Sequence, residues 1–279
     1  MREITAQAVT DAVSRLCISA NRNLPEDMKN FIRNCAASED WPQAKEILGR
    51  IVENFEIAAE NQVPICQDTG MACVFLKIGQ DVHITGDLTE AVNEGVRKGY
   101  KEGYLRKSVV RDPLNRVNTG DNTPAILYTE LVPGDKIEIT VAPKGFGSEN
   151  MSQIKMLRPS DGVEGVKDFI VRVAEEAGPN PCPPIVVGVG IGGTFEKAAF
   201  MAKKALLRDT DSRNENPFYA ALEDELLERI NALGIGPQGF GGRTTALAVN
   251  IETYPTHIAG LPVAVNISCH VTRHKTEVL

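Results

Sequence analysis

The 279-residue chain is 42% apolar and 24% charged, carries a net charge of −7 and has a pI near 5.3. That length can bury a large core, and the composition is ordinary for a globular protein. The acidity leaves no general basic surface for nucleic acid or anionic lipid, and no apolar run approaches the roughly 18 residues that span a bilayer, so neither is expected as a partner.

Met1–Ala20 carries Arg2, Glu3, Asp11 and Arg15 along an amphipathic stretch, unlike the charged-then-apolar order of a secretory leader, and the expected location is cytoplasmic. The first third reads as helical: Thr5–Asn21, then Pro25–Ser38, then Trp41–Asn61. In the last of these Ala44, Ile47, Leu48, Ile51, Phe55 and Ala58 recur at helical spacing. Pro25 suits a helix start after a short break. Val63–Gly70 then interrupts the period with proline, glycine and polar residues. Met71–Ile78 reads as a strand, and Asp87–Tyr104 as a helix capped by Asp87, with Glu90 three residues on.

The segment LRKSVVRDPLNRVNTG, Leu105–Gly120, is polar, basic and aperiodic. In an acidic protein this makes it a candidate substrate loop, the alternative being a solvated surface loop. Pro124–Leu131 and Asp135–Val141 are β-rich and joined by Pro133–Gly134, which predicts an antiparallel pair. Gly162–Ala177 is helical, Pro184–Val189 has a buried-strand pattern, and Thr194–Leu207 and Asn216–Leu233 are helices. After the glycine-rich turn Gly234–Gly242 come strand-like runs at Thr245–Ile251 and Pro262–Ile267. Strands both follow helices and neighbour one another, and no linker or repeat divides the chain. The expected fold is α+β (mixed α/β), with a helical N-terminal third followed by mixed, largely antiparallel sheets flanked by helices, in one domain over 1–279.

Gly188, Gly190 and Gly193 in GVGIGG satisfy the G-x-G-x-x-G spacing between a strand and a helix, so a nucleotide-binding protein built on the Gly188–Gly193 loop is a competing possibility. A dinucleotide unit needs a second parallel strand after that helix, with an acid about 20 residues beyond the motif. Here the helix runs into RDTDSRNEN and then another helix. The simpler account is that these glycines let the backbone pass close to a bulky group, or let its N–H groups bind an anion. Gly234, Gly236, Gly239, Gly241 and Gly242 form a second such turn, and the two together suggest one crowded, shared site.

Six cysteines in a chain of this length, without a leader, are expected to be thiols or metal ligands rather than disulfides. Cys17 and Cys35 fall in helical patterns and Cys73 in a strand, so these three read as small buried hydrophobes. Cys66, Cys182 and Cys269 sit beside turn formers or at a strand end, in VPICQDTG, GPNPCPPIVVG and AVNISCH, where a scaffold presents side chains to a site. A structural zinc site on the same thiols is a further alternative.

VPICQDTG, GPNPCPPIVVGVGIGGTFEKAA, LGIGPQGFGGRTTALAV and THIAGLPVAVNISCH resemble, in order and spacing, the iron–sulfur domain of class I fumarases and L(+)-tartrate dehydratases, from about Thr5 to Cys269. The resemblance implies that Cys66, Cys182 and Cys269 ligate a 4Fe–4S cluster in which one iron lacks a protein ligand and acts as a Lewis acid. It implies reversible hydration of a C4 dicarboxylate, fumarate to (S)-malate first and L(+)-tartrate dehydration as the alternative. Gln67, Asp68 and Arg106 match substrate-binding residues, and Gly147 in KGFGSEN matches a backbone contact. His257 matches a histidine near the site that would pair with Asp68 in a proton relay. His83, His270 and His274 receive no role, and Asn118, Asp121, Thr244 and Thr245 none beyond shaping the site. Single-chain members continue into a second domain. The resemblance therefore implies a separate beta subunit that completes the site, and a dimer of alpha–beta units in which the helical N-terminal third supports dimerisation.

Overall fold

Period and capping produce the helices, and two separate apolar clusters organise them. The computed structural model describes residues 1–279. Its contacts gather into two units interleaved along the chain, one from Met1–Pro25, Phe55–Gly145 and Arg273–Leu279, the other from Glu26–Asn54 and Phe146–Thr272.

In the first unit, strand β1 (Arg2–Thr5) leads into helix α1 (Ala6–Arg22), whose first turn is closed by Thr5 Oγ1 accepting from Ala8 N–H at 3.2 Å. Strands β2 (Met71–Gly79) and β3 (Val82–Thr85) precede helix α4 (Leu88–Glu102), and Asp87 caps that helix by accepting from Glu90 N–H at 2.9 Å, as its sequence predicts. Strands β4 (Ile126–Val132), β5 (Ile137–Lys144) and β10 (Lys275–Val278) complete a four-stranded sheet in the order β10-β5-β2-β4, while β1 and β3 pair in parallel by themselves. Val9, Val13, Leu16 and Cys17 of α1 pack with Val92, Val96 and Tyr100 of α4 over Val74, Leu76, Ile137, Ile139 and Val141. The two helices approach closely because Gly95 and Gly99 face α1: a Cβ on Gly95 would lie 2.7 Å from Thr10 O, and one on Gly99 2.9 Å from Ser14 O.

The second unit contains helix α2 (Glu26–Ser38), the one-turn helix α5 (Phe146–Glu149), strand β6 (Gln153–Leu157), helix α6 (Gly162–Ala177), strand β7 (Ile185–Gly192), helices α7 (Phe195–Ala205) and α8 (Pro217–Asn231), and strands β8 (Ala246–Tyr254) and β9 (Leu261–Ser268). Helix α3 (Pro42–Asn61) contains the point where the chain changes unit. The sheet order is β6-β9-β7-β8, with β7 parallel to β8 and antiparallel to β9. Every residue of β7 is buried. Its alternate residues Ile185, Val187, Val189 and Ile191 join Val166, Phe169, Ile170 and Val173 of α6 and Leu222, Leu226 and Ile230 of α8 in one core. The intervening residues face α7, where a Cβ on Gly188 or Gly190 would lie 2.2 Å from Ala202 O or 2.1 Å from Ala198 O.

Two expectations change. The Pro124–Leu131 and Asp135–Val141 runs do form β4 and β5, but they do not pair: β2 lies between them, parallel to β4 and antiparallel to β5. The short connection crosses the end of β2, receiving hydrogen bonds from Gly79 N–H to Lys136 O at 2.8 Å and from Asp81 N–H to Gly134 O at 2.9 Å. The more apolar β2 takes the central position, and β4, with Thr129 to Leu131 exposed, takes the edge. The second change concerns GVGIGG. Gly188 and Gly190 lie inside strand β7 and seat α7 against the sheet, rather than forming a phosphate-cradling turn. The bulky group that these glycines accommodate is a helix backbone. The sheets are otherwise mixed with more antiparallel than parallel pairings, as expected, and no helix is long and apolar enough to cross a membrane.

Candidate active site

In the first unit the irregular segment Cys66–Gly70 lies against the start of the basic loop, and its backbone oxygens are bonded one after another. The Arg273 guanidinium, on the chain four residues past Cys269, donates to Asp68 O at 2.6 Å. Tyr100, fully buried on α4, donates its hydroxyl to Thr69 O at 2.7 Å and Gly70 O at 3.0 Å. Asn122, also fully buried, donates to Gly70 O at 3.1 Å and accepts from Ser108 N–H at 2.7 Å. Thr69 Oγ1 both accepts from Arg106 N–H at 2.9 Å and donates to Arg106 O at 3.1 Å.

This network orients the named residues. Asp68 N–H donates to Cys66 Sγ at 3.4 Å, and Cys66 Sγ donates to Gln67 Oε1 at 3.4 Å. Asp68 Oδ1 accepts from Gly70 N–H at 3.1 Å, while Gly145 passes so close that an added Cβ would lie 3.0 Å from Asp68 Oδ2. Cys66 and Asp68 are half-buried, and Gln67 and Arg106 are exposed. One unit thus groups Cys66, Gln67, Asp68 and Arg106.

In the second unit the turn before β7 carries Cys182 at φ +54°, an unusual conformation for a residue with a side chain. Neighbouring groups hold it there. Cys182 N–H donates to Pro179 O at 3.1 Å, and the Gln238 backbone and side-chain amides both donate to Pro183 O at 2.8 Å. His270 Nδ1 lies 2.9 Å from Cys182 O; since a carbonyl only accepts, Nδ1 carries the proton in that bond. His270 immediately follows Cys269, whose own carbonyl accepts from Thr272 N–H at 3.0 Å and Thr272 Oγ1 at 2.8 Å. The two thiol-bearing turns are therefore tied together. Gly147 on α5 faces Asn180, two residues before Cys182, and α5 is joined to β9 through Asn266 Nδ2 donating to Glu149 Oε2 at 2.8 Å. The second glycine turn packs here too: a Cβ on Gly239 would lie 2.4 Å from that of Pro179.

His257 is not among these groups. It lies in the exposed loop between β8 and β9, accepting on Nδ1 from Ala259 N–H at 3.2 Å. Thr256 beside it donates to Gly193 O at 2.9 Å, at the far end of β7 from Cys182. Eight strand residues separate the two ends, roughly 20 Å or more at about 3.3 Å per residue. Gly193 and His257 thus share one end of the sheet, and Gly234–Gly242 with the two thiols the other. The two glycine turns do not form one site.

None of the six cysteines is in a disulfide. Burial pushes the Cys17 thiol up to about 12, and Cys73 is buried in β2, whereas Cys35, expected to be a buried hydrophobe, is half-buried on α2 with its thiol still raised by burial, Cys66 and Cys269 are half-buried and Cys182 is exposed. Of the four thiols that are not buried, Cys35 lies within helix α2 and Cys66, Cys182 and Cys269 lie in turns, and Cys66 already accepts a backbone N–H, the bond that stabilises sulfur carrying negative charge. Cysteine thiols in turns are the donor type that iron–sulfur clusters take as ligands. Within either unit no three His, Cys, Asp or Glu side chains are gathered at the spacing of one metal ion. Thr69, Tyr100, Gln238, His270 and Arg273 escaped the sequence reading, because what marks them is a partner distant in sequence.

The chain matches the family model described as fumarate hydratase (Fumerase) over residues 10–278. It is 47% identical over 272 residues to a Methanocaldococcus jannaschii protein provisionally named L(+)-tartrate dehydratase subunit alpha, covering 95% of each chain. It is 34% identical to the L(+)-tartrate dehydratase subunit alpha of Escherichia coli strain UTI89, and 33% identical to that of strain K12, each match covering 96% of this chain and 89% of the relative.

Proposed function

The chain belongs to the fumarate hydratase (Fumerase) family and is a hydro-lyase, and from that premise we propose that it is the alpha subunit of an iron–sulfur enzyme acting on a C4 dicarboxylate. The observation that carries the reading is the bond from His270 to Cys182 O, which ties together the turns that bear two of the three candidate ligand thiols. Cys66, Cys182 and Cys269 are the residues that hold the cluster. When bound, a 4Fe–4S cluster with three thiolate ligands supplies an iron with an open position, a Lewis acid that turns a hydroxyl into a better leaving group.

The protein's own groups do the rest. Arg106, exposed at the head of its loop, takes one substrate carboxylate in a bidentate grip. The Gln67 amide and the Gly147 N–H supply neutral donors for the remaining oxygens. Dehydration removes a proton from the carbon beside the carbinol, forms the double bond and breaks the C–O bond; Asp68 donates the proton that makes the departing hydroxide water. The family resemblance pairs His257 with Asp68 in that proton transfer, and loss of dehydration in His257→Asn is the expected result. The base that removes the carbon-bound proton is assigned to a separate beta subunit, consistent with relatives named as alpha subunits, in an assembly of two alpha–beta units.

The names of the relatives make L(+)-tartrate the first substrate to assay, and fumarate and malate, the sequence-based expectation, the second. The test is anaerobic assay of the chain copurified with its partner, after cluster reconstitution, against L(+)-tartrate, malate and fumarate. Turnover of one of these, lost together with iron and acid-labile sulfide in Cys182→Ser, is the expected result. A full complement of cluster with no turnover of any of the three overturns the assignment.

A further inference from the structure

We propose that Thr69 is a positioning residue that aims the Arg106 guanidinium at the substrate carboxylate, an inference resting on the substrate role assigned to Arg106. The Thr69 side chain is buried, and its single hydroxyl bonds both sides of one residue, accepting from Arg106 N–H at 2.9 Å and donating to Arg106 O at 3.1 Å. This is a two-point contact of the kind that pairs strands, made here by one side chain. It fixes the peptide planes on both sides of Arg106, and with them the direction in which its Cα–Cβ bond leaves the backbone. The same threonine directly follows Asp68, and its own carbonyl is held by Tyr100 at 2.7 Å. The hydroxyl thus links the segment bearing Asp68 to the segment bearing Arg106.

The rest of the basic loop has its own anchor, from Ser108 N–H to Asn122 at 2.7 Å. Loss of the threonine hydroxyl therefore releases Arg106 rather than the whole loop. Valine has the shape of threonine without the hydroxyl, so Thr69→Val removes both bonds and leaves the packing in place. Serine keeps the hydroxyl.

The experiment uses the assembled, cluster-loaded enzyme and a double-mutant cycle of Thr69→Val with Arg106→Ala. Thr69→Val is expected to raise KM roughly tenfold or more with visible absorbance unchanged, Thr69→Ser to restore KM to near the parent value, and Thr69→Val to add nothing once Arg106 is alanine. Amide hydrogen exchange supplies a readout independent of turnover: the Arg106 N–H should exchange faster in Thr69→Val and in the second variant Thr69→Ala, but not in Thr69→Ser. An unchanged KM in Thr69→Val, or a Thr69→Val effect that persists in full in the Arg106→Ala background, overturns the proposal alone. An Arg106→Ala enzyme with the parent KM overturns the reading of the site and this proposal with it.

Discussion

Cys17 and Cys66 are the same side chain in opposite surroundings. Cys17 is sealed between α1 and α4, where desolvation pushes its thiol up to about 12, so it contributes packing and no chemistry. Cys66 is half-buried in a turn and accepts the Asp68 N–H. Replacement of Cys66, Cys182 or Cys269 by serine is therefore expected to abolish the broad visible absorbance of the reconstituted chain, and Cys35→Ser to retain it. Retained colour in Cys66→Ser would remove that residue from the ligand set. Gly145 offers a finer perturbation. A methyl group there would press on Asp68 Oδ2 from 3.0 Å, at a position without backbone strain. Gly145→Ala should lower kcat by roughly tenfold or more through misplacement of that carboxylate, with a much smaller change in melting temperature.

Helix α7 rests on strand β7 only because the strand presents hydrogen atoms where other strands present side chains. A Cβ on Gly190 would stand 2.1 Å from a carbonyl oxygen of the helix, so the whole helix would have to move. Gly190→Ala is expected to destabilise the protein by about 1–3 kcal/mol or more, measured as a lowered denaturant midpoint; a midpoint like the parent's would show that the helix adapts freely. The basic loop is braced differently. Burial works to raise the Asp121 carboxyl, but hydrogen bonds from the Thr123 hydroxyl and N–H and from Arg97 outweigh it and bring it down from the usual 3.8 to about 2. Because this group is depressed in the folded state, its contribution is present above the unfolded value and is lost as the pH falls through about 4 to about 2. Amide protection around residues 118–125, taken relative to the intrinsic exchange rate at each pH, should fall as the pH is lowered across that window in the parent and change little in Asp121→Asn.

Across the whole chain, Cys66 belongs to one unit and Cys182 and Cys269 to the other, although the family motifs around them read as one series. The isolated chain is expected to bind a cluster, lose it in air, and turn over little substrate until the partner subunit is added; full activity of the lone chain would contradict a divided site. By itself the sequence determined the longer helices, the strands β2, β4, β5, β7, β8 and β9, the three thiols in turns and the family, because period, capping residues and turn formers act locally and the motifs are contiguous; it missed the short strands β1, β3, β6 and β10, too brief to show a period of their own. It did not carry the insertion of β2 between β4 and β5, the service of Gly188 and Gly190 to a helix, the bond that joins the Cys182 and Cys269 turns, or the distance of His257 from them. Those depend on which apolar faces win the central positions and on hydrogen bonds between residues far apart along the chain. Only the folded arrangement settles such pairings.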